Sequence, residues 1–288
     1  MIIFLTPITR FSVDDAFAQE SGEFSFGEVI LRRLTDDELL QHFHISDRKF
    51  GPGNQFGCTQ HNQGFRAGFM LTEIQEYELY RSTHAFVSQL PIETHQSKVN
   101  EILHCWRLLK MSRVACPVTY RSTSPGSNQQ RPIECRLGEN LHLDAPLMKQ
   151  TTQLLPNIGK IPSEDFDLLD LSNEFGTKTL SVFLLVVIAE RSLMKGDKNE
   201  ISFKVSIYGS RFLEELGVAD ARDAYHTLRK AYDIRSAFAH SGLVDHADVK
   251  SLLPSLYEYV TVIRRHTALN PSTITQEGKT NLLFRPTN

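Results

Sequence analysis

From residue 161 onward, apolar residues recur at the three- and four-residue spacing of amphipathic helices. The longest apolar run, Leu180 to Ala189, ends at the charged pair Glu190-Arg191. Ten residues are too few to span a bilayer, so this run predicts a buried core helix. The predicted helices are a short one capped by Ser163-Glu164-Asp165 and longer ones over residues 178–195, 202–216, 220–240 and 245–267.

Turn and capping residues mark the ends of these helices. Gly217 and Ser241-Gly242 follow apolar positions as stop signals, and residues 196–199 (GDKN) predict a turn. Asp245 predicts a cap for the last helix, in which Pro254 indicates a bend or a late start. Residues 271–288 are predicted to be a loose tail.

The first 160 residues mix strand-like and helix-like patterns. Residues 23–31 alternate and predict a strand, as do residues 69–80 and 116–120, whereas residues 97–111 have helical spacing. Thr35 and the acidic residues after it predict the start of a helix. That helix would carry Leu39, Leu40 and Phe43. Residues 50–68 and 121–132 are predicted loops.

These patterns predict an α+β protein with three regions. Residues 1–160 form a mixed α/β N-terminal domain, residues 161–270 an all-α helical bundle, and residues 271–288 a C-terminal tail. Because the bundle has its own apolar helices and caps, we expect the region from about residue 161 to fold alone.

Charge argues against one class of function. The chain has 31 Lys and Arg against 34 Asp and Glu, a formal net charge of −3. A large surface that coats DNA non-specifically is therefore not expected, although a local basic cleft is allowed. The N-terminus has no charged region followed by a cleavage site, so a cytoplasmic protein without membrane association is expected.

The four cysteines, Cys58, Cys105, Cys116 and Cys135, are too few for a disulfide scaffold. Reduced thiols are expected. Cys58 and His61 have a two-residue zinc-ligand spacing, but no second pair of the same kind accompanies them. No metal and no cofactor are predicted.

The residues with the clearest chemical potential lie between 231 and 242. At about 100° per residue, Arg235 falls on the border of the apolar face of its helix, and His240 lies about 140° around from it. Ser236 and Ala239, both small, lie between them. His240 is in the last turn, where a helix favours a positive charge.

An arginine and a histidine without a carboxylate cage suit cleavage of RNA through its own 2′-hydroxyl. The histidine would move the proton and the arginine would stabilise the negative charge on the phosphorane. The alternative is a surface arginine beside a histidine that only caps the helix, because this spacing also arises by chance.

Arg235 and His240 lie within a longer segment, residues 175–266, whose sequence can be compared with that of known families. Residues 175–266 resemble the HEPN superfamily, and in particular its Apea-like branch. The segments that carry the resemblance are LLVVIAER (184–191), EISFKVSIYGSRFLEEL (200–216) and LRKAYDIRSAFAHSG (228–242). The resemblance implies an all-helical, dimeric domain, and many of its members are metal-independent ribonucleases in defence or toxin systems.

The Arg-x4-6-His motif of the family corresponds to Arg235 and His240. In the family two copies commonly form one composite cleft, which would bring the two side chains together although they diverge on one helix. Ser236 stands where many HEPN nucleases have Asn, Asp or His, and a hydroxyl can still form hydrogen bonds. Gly242 stands where nucleotidyltransferase-paired toxins often have Tyr, so that type of regulation is not implied.

Further residues are assigned supporting roles. Ser236, Tyr232, Asp233 and Glu190 are expected to support the site. For Tyr232 the alternative is core packing, and for the pair Glu190-Arg191 it is a charged helix end. Arg264 and Arg265 are candidates for RNA phosphate binding, with a solvated last turn as the alternative.

The sequence therefore predicts a HEPN-type, metal-independent endoribonuclease that acts in antiphage defence or stress. Its expected partners are RNA, with tRNA among the candidates, a second copy of the helical domain, and a phage-derived or other protein trigger at the N-terminal domain. The alternatives are a non-catalytic HEPN module that dimerises and binds RNA or protein, and a plain interaction scaffold.

Overall fold

The computed structural model describes residues 3–14, 22–35, 38, 82–116, 118–121, 127–129, 138–174, 178–194, 200–242 and 244–284. The protein is α+β, as predicted, with a sheet in its first half and helices in its second. Two compact units divide the chain. Unit 1 comprises residues 1–103, 113–134 and 139–152, and unit 2 comprises residues 104–112, 135–138 and 153–288.

Unit 1 contains an antiparallel sheet that joins distant parts of the chain. Its six described strands have the order β3-β4-β5-β1-β6-β7, and a parallel pair, β2 and β8, forms separately. The strands are β1 (Phe4–Pro7), β2 (Phe11–Val13), β3 (Glu23–Phe26), β4 (Val29–Arg33), β5 (His84–Ser88), β6 (Val118–Arg121), β7 (Ser127–Gln129) and β8 (Leu141–Leu143).

The single strand predicted over residues 23–31 is wrong, because this segment is a hairpin. β3 and β4 pair with Phe26 opposite Val29, and Gly27 in the two-residue turn has a φ of +67°. Glycine adopts this left-handed conformation without strain. The alternation within each strand was interpreted correctly, since Phe24 and Leu31 are buried on the same face.

Several other predictions need correction. Part of the loop predicted over residues 121–132 is β7, which pairs with β6. The strand predicted at 116–120 is β6, two residues further on. Residues 141–160, where no element was predicted, hold β8, helix α2 (Ala145–Leu154) and a 3₁₀ helix (Leu155–Lys160).

The predicted helices are present with small shifts of their ends. Helix α1 covers residues 97–109 of the segment predicted over 97–111, begins five residues earlier, and has residues in both units. The helices are α1 (Ile92–Leu109), α3 (Ser163–Glu174), α4 (Lys178–Leu193), α5 (Ile201–Glu215), α6 (Ala221–Ser241) and α7 (His246–Leu269).

The cap predicted at Asp245 and the helix stop predicted at Ser241-Gly242 are confirmed. The Asp220 carboxylate accepts the backbone N–H groups of Arg222 and Asp223 at the start of α6, and Gly242 ends that helix with a φ of +68°. The Asp245 carboxylate accepts the N–H of Ala247 at the start of α7. α7 runs through Pro254 from His246, so the late start does not occur.

The loose tail predicted after residue 270 is wrong. A 3₁₀ helix (Pro271–Ile274) is followed by helix α8 (Gln276–Phe284). Leu282 and Lys279 are buried, and a Cβ on Gly278 would lie 2.4 Å from the carbonyl oxygen of Ser272. Packing as close as this is not expected of a loose segment.

Thr35 and Glu38 form a capping box at the predicted helix start. Glu38 N–H donates to Thr35 Oγ1 at 3.2 Å, and Thr35 N–H donates to Glu38 Oε2 at 2.9 Å. Leu39, Leu40 and Phe43, the loop 50–68, the strand 69–80 and the turn 196–199 lie outside the described residues. Within the described part of the chain, no helix is both long and apolar enough to cross a membrane.

The core of unit 2 includes a segment from the middle of the chain. Cys105 and Leu108 of α1 are buried among the helices that follow residue 153. Arg107 lies 2.5 Å from the Asp170 carboxylate, and its carbonyl oxygen accepts the Tyr257 hydroxyl at 2.8 Å. Residues 104–112 therefore belong to the helical unit, although they precede its main segment by about 40 residues.

A fully buried histidine connects helix α1 to the sheet in unit 1. His95 Nε2 lies 2.8 Å from Thr6 Oγ1, and His95 Nδ1 lies 2.7 Å from Ser88 Oγ. Thr6 Oγ1 is also 2.8 Å from Thr119 Oγ1. Burial lowers the pKa of His95 to about 4, so the ring is neutral at pH 7.

Because the pKa of His95 is lowered in the folded protein, we expect the protein to lose stability in mild acid. Unfolded His95 has a pKa near 6.5, so between pH 6.5 and 4 the unfolded chain binds more protons than the folded one. We expect the free energy of unfolding to fall by about 2 kcal/mol from pH 7 to pH 4.5 through this group. Urea unfolding at the two pH values should show a smaller drop for His95→Gln, and equal drops for both proteins would contradict the prediction.

Candidate active site

Arg235 lies where the core-facing side of α6 reaches the protein surface. Ala224, Leu228 and Ala231 on that side are buried, with relative exposures of 0–1%. The Arg235 side chain is 33% exposed, and no residue from 236 to 242 is buried. The sequence placed this arginine on the border of the apolar face, and its half-buried position agrees with that.

Two helices hold the Arg235 guanidinium in place. Arg235 Nη1 lies 3.1 Å from Glu190 Oε1 on α4. Arg235 Cζ is 5.4 Å from the centre of the Phe183 ring on α4 and 5.8 Å from that of Tyr232 on α6. These are cation–π distances, so a carboxylate and two aromatic rings restrict the orientation of the guanidinium.

Tyr232 orients the carboxylate that holds the arginine. Its hydroxyl donates to Glu190 Oε1 at 3.0 Å, and the residue is 6% exposed. Burial, followed by the nearby Glu190 charge, raises the pKa of Tyr232, and Arg235 opposes this shift. The hydroxyl therefore stays protonated and continues to donate to Glu190.

The guanidinium retains hydrogen-bonding capacity for a ligand. Arginine has five N–H donors, and within the described part of the chain only Nη1 of Arg235 has an ion-pair partner. Because the side chain is one-third exposed, the remaining donors can reach a phosphate oxygen. The arrangement is that of a preoriented anion-binding group at the surface.

His240 lies in the last turn of α6 and is exposed. Among the described residues no hydrogen bond joins it to Arg235. This agrees with the angle of about 140° between them on a helix. One copy of the chain therefore does not bring the two side chains together.

The other residues of α6 assigned to the site differ in their surroundings. Ser236 and Ala239 are exposed and form a shallow surface of small side chains between Arg235 and His240. Asp233 is also exposed, and its carboxylate lies 3.6 Å from Arg229 Nε. Asp233 thus pairs one turn back along its own helix, which gives it no direct part in holding Arg235.

The charged pair at the end of α4 divides between two clusters. Glu190 contacts Arg235, whereas Arg191 donates to the buried Asp165 carboxylate at 2.6 Å. Arg264 Nε lies 2.6 Å from the other oxygen of the same carboxylate. Asp165 therefore connects α3 to both α4 and α7.

The surroundings of Arg264 and Arg265 do not favour RNA binding. The Arg264 side chain is 11% exposed and pairs with Asp165, and Arg265 Nη1 donates to the Leu108 carbonyl at 3.4 Å. Burial lowers the pKa of both arginines. We therefore leave them out of the candidate site and assign them to the packing of α7.

Phe183 was not among the residues predicted for the site. It was one more apolar residue of a core helix, but it lies seven residues before Glu190, which places both on one face of α4. That spacing could have pointed to Phe183 once Glu190 was chosen. The contact of both with Arg235, 45 and 52 residues away in sequence, depends on the packing of α4 against α6 and was not predictable locally.

No group of three or more His, Cys, Asp or Glu side chains in the described residues could hold a metal ion. Cys58, His61 and Cys135 lie outside those residues, and Cys105 and Cys116 are buried. His104 stacks on Phe166 with a centroid distance of 4.1 Å.

No family model, no curated protein and no solved structure matches this chain.

Proposed function

We propose that the protein is a HEPN-type endoribonuclease that cleaves RNA through its 2′-hydroxyl without a metal ion. The observation that carries the proposal is the arrangement around Arg235. Glu190, Tyr232 and Phe183 orient a guanidinium with available donors, and His240 is exposed further along the same helix. The sequence resemblance of residues 228–242 supports the same assignment.

The proposed chemistry uses one proton acceptor, one cation and one proton donor. His240 removes the 2′-hydroxyl proton, and the 2′-oxygen attacks the adjacent phosphorus. Arg235 stabilises the additional negative charge of the phosphorane. The bond to the 5′-oxygen breaks as His240 of a second copy protonates that oxygen, which leaves a 2′,3′-cyclic phosphate and a 5′-hydroxyl.

A second copy of the chain supplies what one copy lacks. Ser236 and Ala239 are small and exposed, so the backbones of two α6 helices can approach closely over them. A two-fold axis there would place both copies of Arg235 and His240 around one cleft. We therefore propose a homodimer through unit 2, with RNA, including tRNA, as the substrate.

Ala239→Trp tests the dimer. A large ring on the small-residue surface should keep the two helices apart, so we expect monomers in light scattering and loss of cleavage in the same preparation. Ala237→Trp is the matched control, since residue 237 points about 160° away from 239 on the helix. A monomeric Ala239→Trp protein with full activity would refute the composite cleft.

One observation favours the alternative, a non-catalytic HEPN module that dimerises and binds RNA or protein. The ion pair between Arg235 and Glu190 would also stabilise the packing of α6 on α4 in a protein without activity. In either case, we propose that unit 1 senses a protein trigger in antiphage defence or stress in the cytoplasm. RNA cleavage distinguishes the two functions.

The deciding experiment is incubation of the purified full-length protein with total RNA in EDTA. We expect cleavage in the presence of the chelator, and mapping of the new ends should find 2′,3′-cyclic phosphates and 5′-hydroxyls. Intact RNA under these conditions would favour the non-catalytic module. Cleavage that requires magnesium and leaves 5′-phosphates would exclude the proposed mechanism.

A further inference from the structure

An exposed aromatic ring lies one helical turn beyond the arginine of the candidate site. Phe238 is 37% exposed and follows Arg235 by three residues on α6. Residues with this spacing are neighbours on a helix surface, with Cβ atoms about 5–6 Å apart. A single exposed phenylalanine is common on protein surfaces, but one beside an available guanidinium has the two features of a nucleotide contact.

Phe238 continues the apolar side of α6 beyond the core. Ala231 and Ile234 on that side are buried, at 0% and 6% exposure, whereas Phe238 is the first position at which a large apolar ring is left accessible. Phe238 lies in the last turns of the helix, and its carbonyl oxygen accepts the Gly242 N–H where the helix ends. The ring is therefore held by regular helical backbone and does not depend on a loop.

A second copy of the chain would not cover this ring in the dimer proposed above. On the helix, Ala239 lies about 100° and Ser236 about 160° from Phe238, whereas Arg235 lies only about 60° from it. A partner centred on Ser236 and Ala239 leaves Phe238 at the edge of the cleft, on the side of Arg235. The occupant that fits this place is the nucleic acid whose phosphate Arg235 binds.

We infer that Phe238 stacks on an unpaired base next to the phosphate held by Arg235, and that the site therefore selects single-stranded RNA. This inference rests on the proposed function. Bases in a duplex stack on one another and offer only their edges in the grooves, so a side chain on a helix surface cannot stack on them. An unpaired base offers its face to an aromatic ring whatever its sequence.

The test uses the full-length chain with His240→Ala, so that RNA is bound but not cleaved. The probes are a single-stranded oligoadenylate of ten nucleotides and a duplex RNA of the same length, followed by fluorescence anisotropy. We compare Phe238→Ala, Phe238→Leu and Phe238→Tyr in this background. Phe203→Leu on α5 is the matched control, because Phe203 is a 48% exposed phenylalanine outside the site.

Stacking predicts a specific order of affinities. Phe238→Ala and Phe238→Leu should both weaken binding of the single strand by about tenfold, since a leucine has no ring to stack on a base. Phe238→Tyr and the control Phe203→Leu should leave the affinity within about twofold of the parent. The duplex should bind more weakly and should not respond to the residue at position 238.

Three results would overturn the inference. Full affinity of Phe238→Leu, with loss of dimers in Phe238→Ala, would show that a second copy covers the ring. If substitutions at position 238 weaken binding of the duplex as much as of the single strand, the site does not select single-stranded RNA. Unchanged binding in Phe238→Ala and Phe238→Leu would show that the ring does not contact the RNA. If the wild-type chain fails to cleave RNA but the order of affinities holds, the ribonuclease proposal fails and the stacking contact stands.

Discussion

Arg235→Ala and His240→Ala should each lower the rate of RNA cleavage by about 100-fold or more, which is the usual contribution of a general acid–base group or of an oxyanion-stabilising donor. The two residues act at different steps of the same displacement. Loss of His240 removes the proton acceptor, and loss of Arg235 leaves the charge of the phosphorane unstabilised. The measurement is the initial rate on a defined RNA in EDTA with full-length protein.

Matched controls for this experiment lie on the same helix. Arg222 and His226 are exposed residues of α6 near its beginning, away from the candidate site. Arg222→Ala and His226→Ala change charge and side-chain size as the site variants do, and both should keep the wild-type rate. If His240→Ala cleaves as fast as His226→Ala, the histidine has no part in the chemistry.

Mixing the two inactive variants tests whether the site is shared between copies. A heterodimer of Arg235→Ala with His240→Ala contains one intact arginine and one intact histidine, each on a different chain. If the intact arginine and histidine act across the two-fold axis, a small part of the activity should return on mixing, because the one histidine still accepts the 2′-hydroxyl proton while water must replace the second histidine as proton donor. Continued inactivity of a verified heterodimer would mean either that both copies of His240 are needed or that each chain needs its own arginine and histidine.

The helices of unit 2 were predictable because their signals are local. The helix ends are set by bonds to residues only a few positions away, at Gly217, Asp220, Gly242 and Asp245. The apolar spacing between these ends is regular. The helix at 276–284 was missed because its apolar positions are few, and its packing depends on the close approach of Gly278 to Ser272.

The sheet of unit 1 was less predictable because its pairings are long-range. β1 pairs with β5, about 80 residues later, and with β6, more than 100 residues later. β7 has the polar sequence Ser-Asn-Gln, which is typical of a loop, and its pairing with β6 makes it a strand. Short strands of this kind obtain their stability from partners that no local pattern identifies.

In the candidate site, too, the features set by local sequence were predictable and the long-range contacts were not. The half-buried position of Arg235 followed from its angle on the helix, and the exposure of His240 followed from its place in the last turn. Of the contacts that orient Arg235, the sequence proposed Glu190 on α4 and Tyr232 on α6 but not Phe183 on α4. For Arg264 and Arg265 the local charge pattern suggested solvent, whereas burial in the fold favours Asp165 and a backbone carbonyl as their partners.

A fragment of residues 161–288 should not fold alone, contrary to the expectation from its helical pattern. It lacks Cys105, Leu108 and Ile158, which are buried in the core of unit 2. Loss of a large buried apolar side chain costs about 2–5 kcal/mol, and an acidic group left without its buried partner about 3–5 kcal/mol. Asp170 would lose Arg107 in this way, so the combined loss approaches the whole stability of a typical domain, about 5–15 kcal/mol.

Circular dichroism of the fragment during heating is the measurement, with the full-length chain as the reference. We expect no cooperative transition for residues 161–288. A peptide of residues 92–112 should restore part of the helical signal when it is added to a fragment of residues 153–288, because it returns Leu108 and the partner of Asp170. Cooperative unfolding of the shorter fragment near the full-length transition would show that residues 104–112 are dispensable.

Whether residues 161–288 fold alone decides how the role of unit 1 can be studied. If residues 104–112 are needed for the core of unit 2, an inactive 161–288 fragment reflects a missing core segment and gives no information on sensing. Substitutions at exposed positions of unit 1 in the full-length chain leave that segment in place. A change of RNA target or of control in such variants, with the cleavage chemistry intact, would assign recognition to unit 1.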